Sequence, residues 1–278
     1  MQPWLPLAFA ALLVWSIQRV VTKAALVHWS TARFYRLNAI LSLAVYIPFA
    51  FFVPPEPDRL PAALGLSLLM ALTFWITTEA TRRGPVGLVA PLTAISPVIT
   101  VALAVTVLAE RLSPVGTVGV LLALTAAALL AYRPVATGAL AGWLALALVS
   151  LVLQGVGAFI AKLVVTGAGP TDLLLTSAAV QAGVGIVIAR AEPLDIIDTF
   201  GRRPNVVVAC TMAAAAAATI GYLWALSLGP ASIIVPLVAT SPALGGVLGV
   251  ILLREQTTRR QVVGAFLGIV AAALLSVA

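Results

Sequence analysis

Ten long runs of apolar, almost uncharged residues follow one another along the chain with little between them, at 4–27, 33–53, 61–82, 86–109, 113–132, 138–165, 172–190, 205–228, 231–253 and 260–277. A helix needs about 20 apolar residues to cross the hydrocarbon core of a bilayer. Only a segment that satisfies its own backbone hydrogen bonds survives there. The runs are continuously apolar rather than alternating, which argues against a β-barrel. The expected fold class is therefore an all-α membrane protein of ten transmembrane helices. Composition points the same way: 62% of the 278 residues are hydrophobic and 9% are charged, where a soluble domain has about 45–50% and 25%.

Sixteen Lys and Arg stand against nine Asp and Glu, a net charge of +7. The basic residues occur singly or in pairs between spans, with no basic arm, so they read as topology signals and nucleic acid is not an expected partner. Arg33, Arg36, Arg82, Arg83, Arg133, Arg190, Arg202, Arg203, Arg254, Arg259 and Arg260 follow odd-numbered spans, while Arg59 and Arg111 lie in the other loops. The positive-inside rule makes the first set cytoplasmic and both termini external, in a bacterial inner (plasma) membrane. One cysteine, Cys210, and one histidine, His28, exclude a disulfide framework and a histidine metal cage; no metal or cofactor is expected. The first run lacks a small-residue cleavage site and reads as a span, not a signal peptide. Connections are short and marked by Pro54-Pro55, Gly84-Pro85, Ser113-Pro114 and Gly229-Pro230; only 191–204 has room for a short interfacial segment.

The chain also repeats itself. Residues 80–130 align without gaps on 225–275, with 20 of 51 positions identical. The shared positions include Gly84/Gly229, Pro85/Pro230, Pro91/Pro236, Ser96/Ser241, Pro97/Pro242, Glu110/Glu255 and Gly119/Gly264. Lys23 and Lys162 match more weakly near the ends of spans one and six. Two halves of five helices result, 1–135 and 136–278. An odd number of crossings makes the second half enter from the opposite face, so the repeat is inverted about a pseudo-two-fold axis in the membrane plane. Carriers with this architecture place their substrate near the midplane between the repeats.

A half that closes with Gly-Pro, a proline-bearing helix with Ser-Pro, a Glu and a glycine-containing last helix resembles the EamA repeat of the ten-helix drug/metabolite transporter superfamily. The likeness is best over 70–132 and 215–278, and Trp15 with Lys23 resembles the family's first helix. It implies an alternating-access carrier of small metabolites, often an exporter of amino acids. Two features depart from the pattern. Family members are usually drawn with cytoplasmic termini, and the acid that small multidrug relatives carry in their first helix is missing.

Several residues are candidates for a central site. Trp15, Gln18, Arg19, Thr22 and Lys23 share one stripe of span one, which lipid would penalise. Arg19 and Lys23 lie in the last turns, where they can also snorkel to the interface. Gln154 is the repeat equivalent of Trp15, with a cavity role or a packing hydrogen bond as its two readings. Trp75, Tyr222 and Trp224 are possible cavity walls, or packing; Trp4, Trp29 and Trp143 read as interfacial belt residues. Glu79, beside Thr77 and Thr78, is the acid well inside a span. It reads either as a proton carrier or ammonium ligand, or as a partner of Arg82 or Arg83. Glu110 and Glu255 read as helix-end pairs beside Arg111 and Arg254.

Spans four and nine each carry two prolines, Pro91/Pro97 and Pro236/Pro242, roughly 9 Å apart along a helix. Each should weaken the carbonyl four residues earlier, at Gly87, Thr93, Ser232 and Val238. These kinks read as curvature or as hinges beside a polar lining of Thr93, Ser96, Thr240 and Ser241. Gly245/Gly249, Gly264/Gly268 and the alanines 213–218 read as close-packing seams.

The function expected is an alternating-access exporter of small metabolites, amino acids with aromatic or hydrophobic side chains first, working with a small-molecule substrate and the lipid bilayer as its partners. A monomer suffices and a dimer is compatible. An exporter of quaternary amines or cationic drugs is the alternative. An intramembrane enzyme acting on lipid-linked substrates is a weaker one, because no nucleophile and base are clustered.

Overall fold

The structure, a computed structural model, describes residues 2–26, 31–83, 93, 95–131, 141–166, 170–189, 203–253 and 258–277. Eight helices lie in the first eight spans: α1 Trp4–Leu26, α2 Thr31–Phe52, α3 Leu60–Arg83, α4 Pro97–Val107, α5 Pro114–Ala131, α6 Ala141–Val165, α7 Thr171–Ala189 and α8 Arg203–Leu228. Span nine is two helices, α9 Ala231–Val238 and α10 Ser241–Leu253, and span ten is α11 Arg259–Ser276.

Local chemistry sets the ends. At α5, Pro114 takes the first helical position and the Ser113 hydroxyl accepts from the Gly116 amide at 3.0 Å, a combination that costs no intrahelical bond. A reciprocal capping box of Thr258 and Gln261 opens α11. Span nine breaks between its two prolines, at Ala239 and Thr240. The Thr240 amide turns back to the Leu237 carbonyl at 3.1 Å, and Pro242 sits in the first turn of α10, where its missing N–H is harmless.

Among the described residues, four helical segments are long and apolar enough by themselves to cross a bilayer: Leu60–Thr77, Gly142–Val165, Asn205–Leu228 and Arg259–Ser276. Six shorter apolar stretches of described residues lie in the other spans. Large apolar side chains point outward, among them Phe51, Phe52, Ile186 and Phe266, as a lipid-solvated exterior requires.

Helix pairing displays the two-fold relation. α1 packs on α8 as α6 packs on α3; α1 on α10 as α6 on α4; α3 on α7 as α8 on α2. Exchanging the halves converts each pair into its partner. The pairs α2 with α7 and α5 with α11 map onto themselves and therefore lie on the axis. One contact shows the relation at atomic scale. The Ser16 hydroxyl of α1, which donates to the Leu12 carbonyl at 2.6 Å, also reaches the Ser241 carbonyl at 3.1 Å. At the equivalent place Gly155 of α6 lies so close to α4 that an added Cβ would stand 2.6 Å from the Ser96 carbonyl oxygen.

Lipid tails are as apolar as leucine, so contact in this core comes from close packing rather than water expulsion. The buried set is accordingly rich in alanine, including Ala8, Ala63, Ala104, Ala225 and Ala271. Gly268 faces the Ala243 side chain with no room for a Cβ, and Gly119 meets Leu275. The tryptophans correct one expectation. Trp4 packs on Gly229 and is 3% exposed, and Trp143 is 5% exposed beside Ala80 and Ala147; both are core residues instead of belt residues. Trp29 lies outside the described residues.

Candidate functional site

A cavity of about 610 Å³ lies between the repeats, walled by α1, α2, α3, α6, α7 and α8, with Ser96 just ahead of α4 completing the wall. Of the expected site residues, Trp15, Gln18, Ser96, Gln154 and Tyr222 line it. The Trp15 and Tyr222 rings form a tilted pair with centroids 5.2 Å apart, and the Trp15 indole donates to the Ala215 carbonyl at 3.4 Å. Gln154 gives its amide hydrogens to Ser150 at 3.0 Å and Thr77 at 3.4 Å, and Thr77 and Ser150 bond to each other. Its oxygen is left as an acceptor. The carboxamide of Gln18 is half-buried against the same space.

Sequence reasoning missed the walls contributed by α2 and α7. Asn38 donates to Gln181 at 3.3 Å across the axis, which leaves a carbonyl oxygen on Asn38 and an amide group on Gln181 to face the cavity. Ser42, Tyr46, Ser177 and Thr219 add hydroxyls. A signal was present. Asn38 and Ser42 are four residues apart, and shifting both by 139 positions gives Ser177 and Gln181, the same shift that carries Trp15 to Gln154.

Other expected residues lie elsewhere. Trp75 is 64% exposed on the outer surface of α3. Trp224 stacks edge-on against Phe49, centroids 5.8 Å apart, away from the lining. Thr240 and Ser241 are buried at the α9–α10 break; the Thr240 hydroxyl bonds to the Leu237 carbonyl at 2.6 Å. The Thr93 carbonyl, expected to be freed by Pro97, accepts from the Ser96 amide at 3.1 Å. Glu79 is half-buried on α3, engaged by a neighbour and outside the lining. Pro97 opens α4, while Pro236 lies inside α9. Arg19 and Thr78 belong to α1 and α3, but their side chains, like Gly87, Pro91 and Glu255, lie outside the described residues.

The cavity has a sealed end. Leu66, Leu173 and Leu223 line it and are themselves buried, and Trp4, Val165, Leu174, Leu226 and Ile234 fill the core behind them. Polar bonds between linkers stitch this face, the arginine-poor one. The Asp172 carboxylate accepts from the Glu56 amide at 3.0 Å. Arg59 donates to the Thr166 carbonyl at 2.9 Å, and Thr171 to the Val53 carbonyl at 2.8 Å. Glu110, expected to pair beside Arg111, instead takes the Ala231 and Ser232 amides at 3.0 and 2.8 Å. Those amides have no partner within their own helix, and a carboxylate there also complements the helix dipole.

Ten helical spans in two inverted halves, an apolar exterior and a polar cavity at the seam define a multi-pass membrane transporter of small molecules. The chain belongs to the EamA-like transporter family, which matches it twice, over residues 2–132 and 141–277. A crystal structure with the printed title "Crystal structure of protein" shares the fold, with a TM-score of 0.76 and 15% identity over 98% of this chain and 95% of that one. No curated protein matches the sequence.

Proposed function

We propose that the chain, with repeats dividing near residues 135 and 136, is an alternating-access exporter of amino acids with aromatic or hydrophobic side chains, in a bacterial inner membrane with both termini outside. The observation that carries this reading is the pairing of an aromatic wall, Trp15 and Tyr222, with the carboxamides of Gln18, Asn38, Gln154 and Gln181 around one cavity. Rings offer area to an apolar side chain, while the amides and hydroxyls solvate a dipolar head group with both donors and acceptors. Among the described residues no carboxylate lines the cavity, and a desolvated cation without a counter-charge is costly. That weighs against quaternary amines as the preferred cargo. Pro236 and the break at Ala239 and Thr240 serve as the hinge on one side.

Counterflow in proteoliposomes tests this reading. Vesicles loaded with unlabelled amino acids should take up labelled phenylalanine or tryptophan saturably without a pH gradient, and empty liposomes should not. Absence of exchange by folded protein, with exchange of a choline-like cation instead, would replace amino acids by cationic cargo. If transport is proton-coupled, Glu79 is the group proposed to carry the proton; gradient-driven accumulation retained by Glu79→Gln would remove it from the mechanism.

A further inference from the structure

The α8–α9 turn is gripped by opposite charges from two directions. α8 ends at Leu228, Gly229 and Pro230 form the turn, and α9 begins at Ala231. Lys162, near the end of α6, donates from its ammonium to the Leu226 and Gly229 carbonyls at 2.6 and 2.7 Å. Those carbonyls belong to the negative end of a helix dipole. Glu110, beyond the end of α4 in the other repeat, closes the positive end of α9 through two amides. The two side chains also attract each other. Backbone geometry aims the carboxylate: Ala109 holds φ at 53°, a left-handed conformation that alanine adopts only at a cost, and this turns the chain from α4 toward α9.

The element held is central to the molecule. All eight residues of α9 are buried, and it packs on α1, α4, α5, α6, α8 and α11. Its first turn has little support of its own. Pro236 removes the donor that would meet the Ser232 carbonyl, and the buried Ser232 hydroxyl has no hydrogen-bond partner. The outside supports are therefore the charged ones.

We propose that Glu110 and Lys162 are the positioning residues of the transport cycle at the arginine-poor face: together they clamp the α8–α9 turn against α4 and α6, and this face opens only when α9 leaves Glu110. The inference rests on the alternating-access reading above but not on the identity of the solute. A clamp joining the repeats through a charge-assisted bond sets the ratio of closed to open states, a role that cavity-lining residues do not share.

The test is distance measurement by electron spin resonance on protein in lipid nanodiscs. Spin labels go on cysteines at Val115 and Leu228, both exposed at this face, after Cys210 is replaced by alanine. Glu110→Gln, which keeps the shape but loses the charge and one acceptor, should shift the closed-to-open ratio about tenfold toward a longer distance. Lys162→Gln should shift it the same way, and Glu110→Asp should restore part of the closed population. Lys162→Gln also reads the clamp should Glu110→Gln fail to insert. A distribution unchanged in both glutamine variants, with only a lower melting temperature, overturns the clamp and leaves the residues as structural. Wild-type counterflow is read in parallel. Exchange by wild type with unchanged distances in the variants removes the clamp alone; a shifted distribution without exchange removes the amino-acid reading and keeps the clamp.

Discussion

Trp15 and Tyr222 meet at 5.2 Å, and each is anchored by its own helix, so truncating either exposes the other to whatever occupies the cavity. Trp15→Ala or Tyr222→Ala should raise the half-saturation concentration for phenylalanine counterflow about tenfold, the size expected from losing one aromatic wall. An unchanged value in both variants would take the pair out of the substrate path. Trp15 was singled out because it shares a polar stripe inside a span with Gln18 and Arg19, whereas Tyr222 was read as a cavity wall or as packing. Asn38 and Gln181 were not singled out, since one amide in an apolar run says nothing about its partner across a two-fold axis. Trp75 was misleading for the opposite reason: an aromatic in a span looks the same whether it faces the cavity or, as here, the outside. Glu110 shows a third limit. Its neighbour in sequence, Arg111, offered an obvious ion pair, while its real partners are main-chain amides 121 and 122 residues away.

At the scale of elements, hydropathy located the spans to within a few residues at most ends, because a helix in lipid begins and stops where the apolar run does. What it did not show is that span nine is two helices. Two prolines six residues apart announce a disturbance but not whether the axis bends or breaks. Pro236→Ala restores a donor for the Ser232 carbonyl and should strengthen α9 as a helix; the expected result is slower exchange with a near-unchanged half-saturation concentration, read by counterflow. Gly155 tests packing instead. An added Cβ would meet Ile99 and the Ser96 carbonyl at 2.6 Å, and that carbonyl is main chain, which cannot step aside. Gly155→Val should destabilise the protein by about 1–3 kcal/mol through overpacking, visible as a lower melting temperature in detergent. Gly65→Val, with open space around its missing Cβ, is the matched control. The glycine pattern in the sequence marks both positions alike; only the approach of α4 to α6 separates them.

For the molecule as a whole, the repeat transfers predictions from one face to the other. Glu255 occupies the position of Glu110, and Gly84-Pro85 that of Gly229-Pro230. Glu255→Gln should therefore move the spin-label distance opposite to Glu110→Gln, toward the closed form of the arginine-poor face; a shift in the same direction would contradict the inverted relation. The arginine asymmetry makes its own forecast, that a short peptide tag at either end is reached by protease added to spheroplasts whose inner membrane is intact. The two-fold also has a thermodynamic corollary. If the halves were identical, the conformers open to each side would be related by the two-fold axis and equal in energy, and the empty carrier would rest half in one and half in the other. Where Ser16 reaches the Ser241 carbonyl with a hydroxyl, Gly155 meets the Ser96 carbonyl with bare backbone. This is one of the many inequalities between the halves that lift the degeneracy, so the unloaded carrier should have a preferred side from which it waits for cargo.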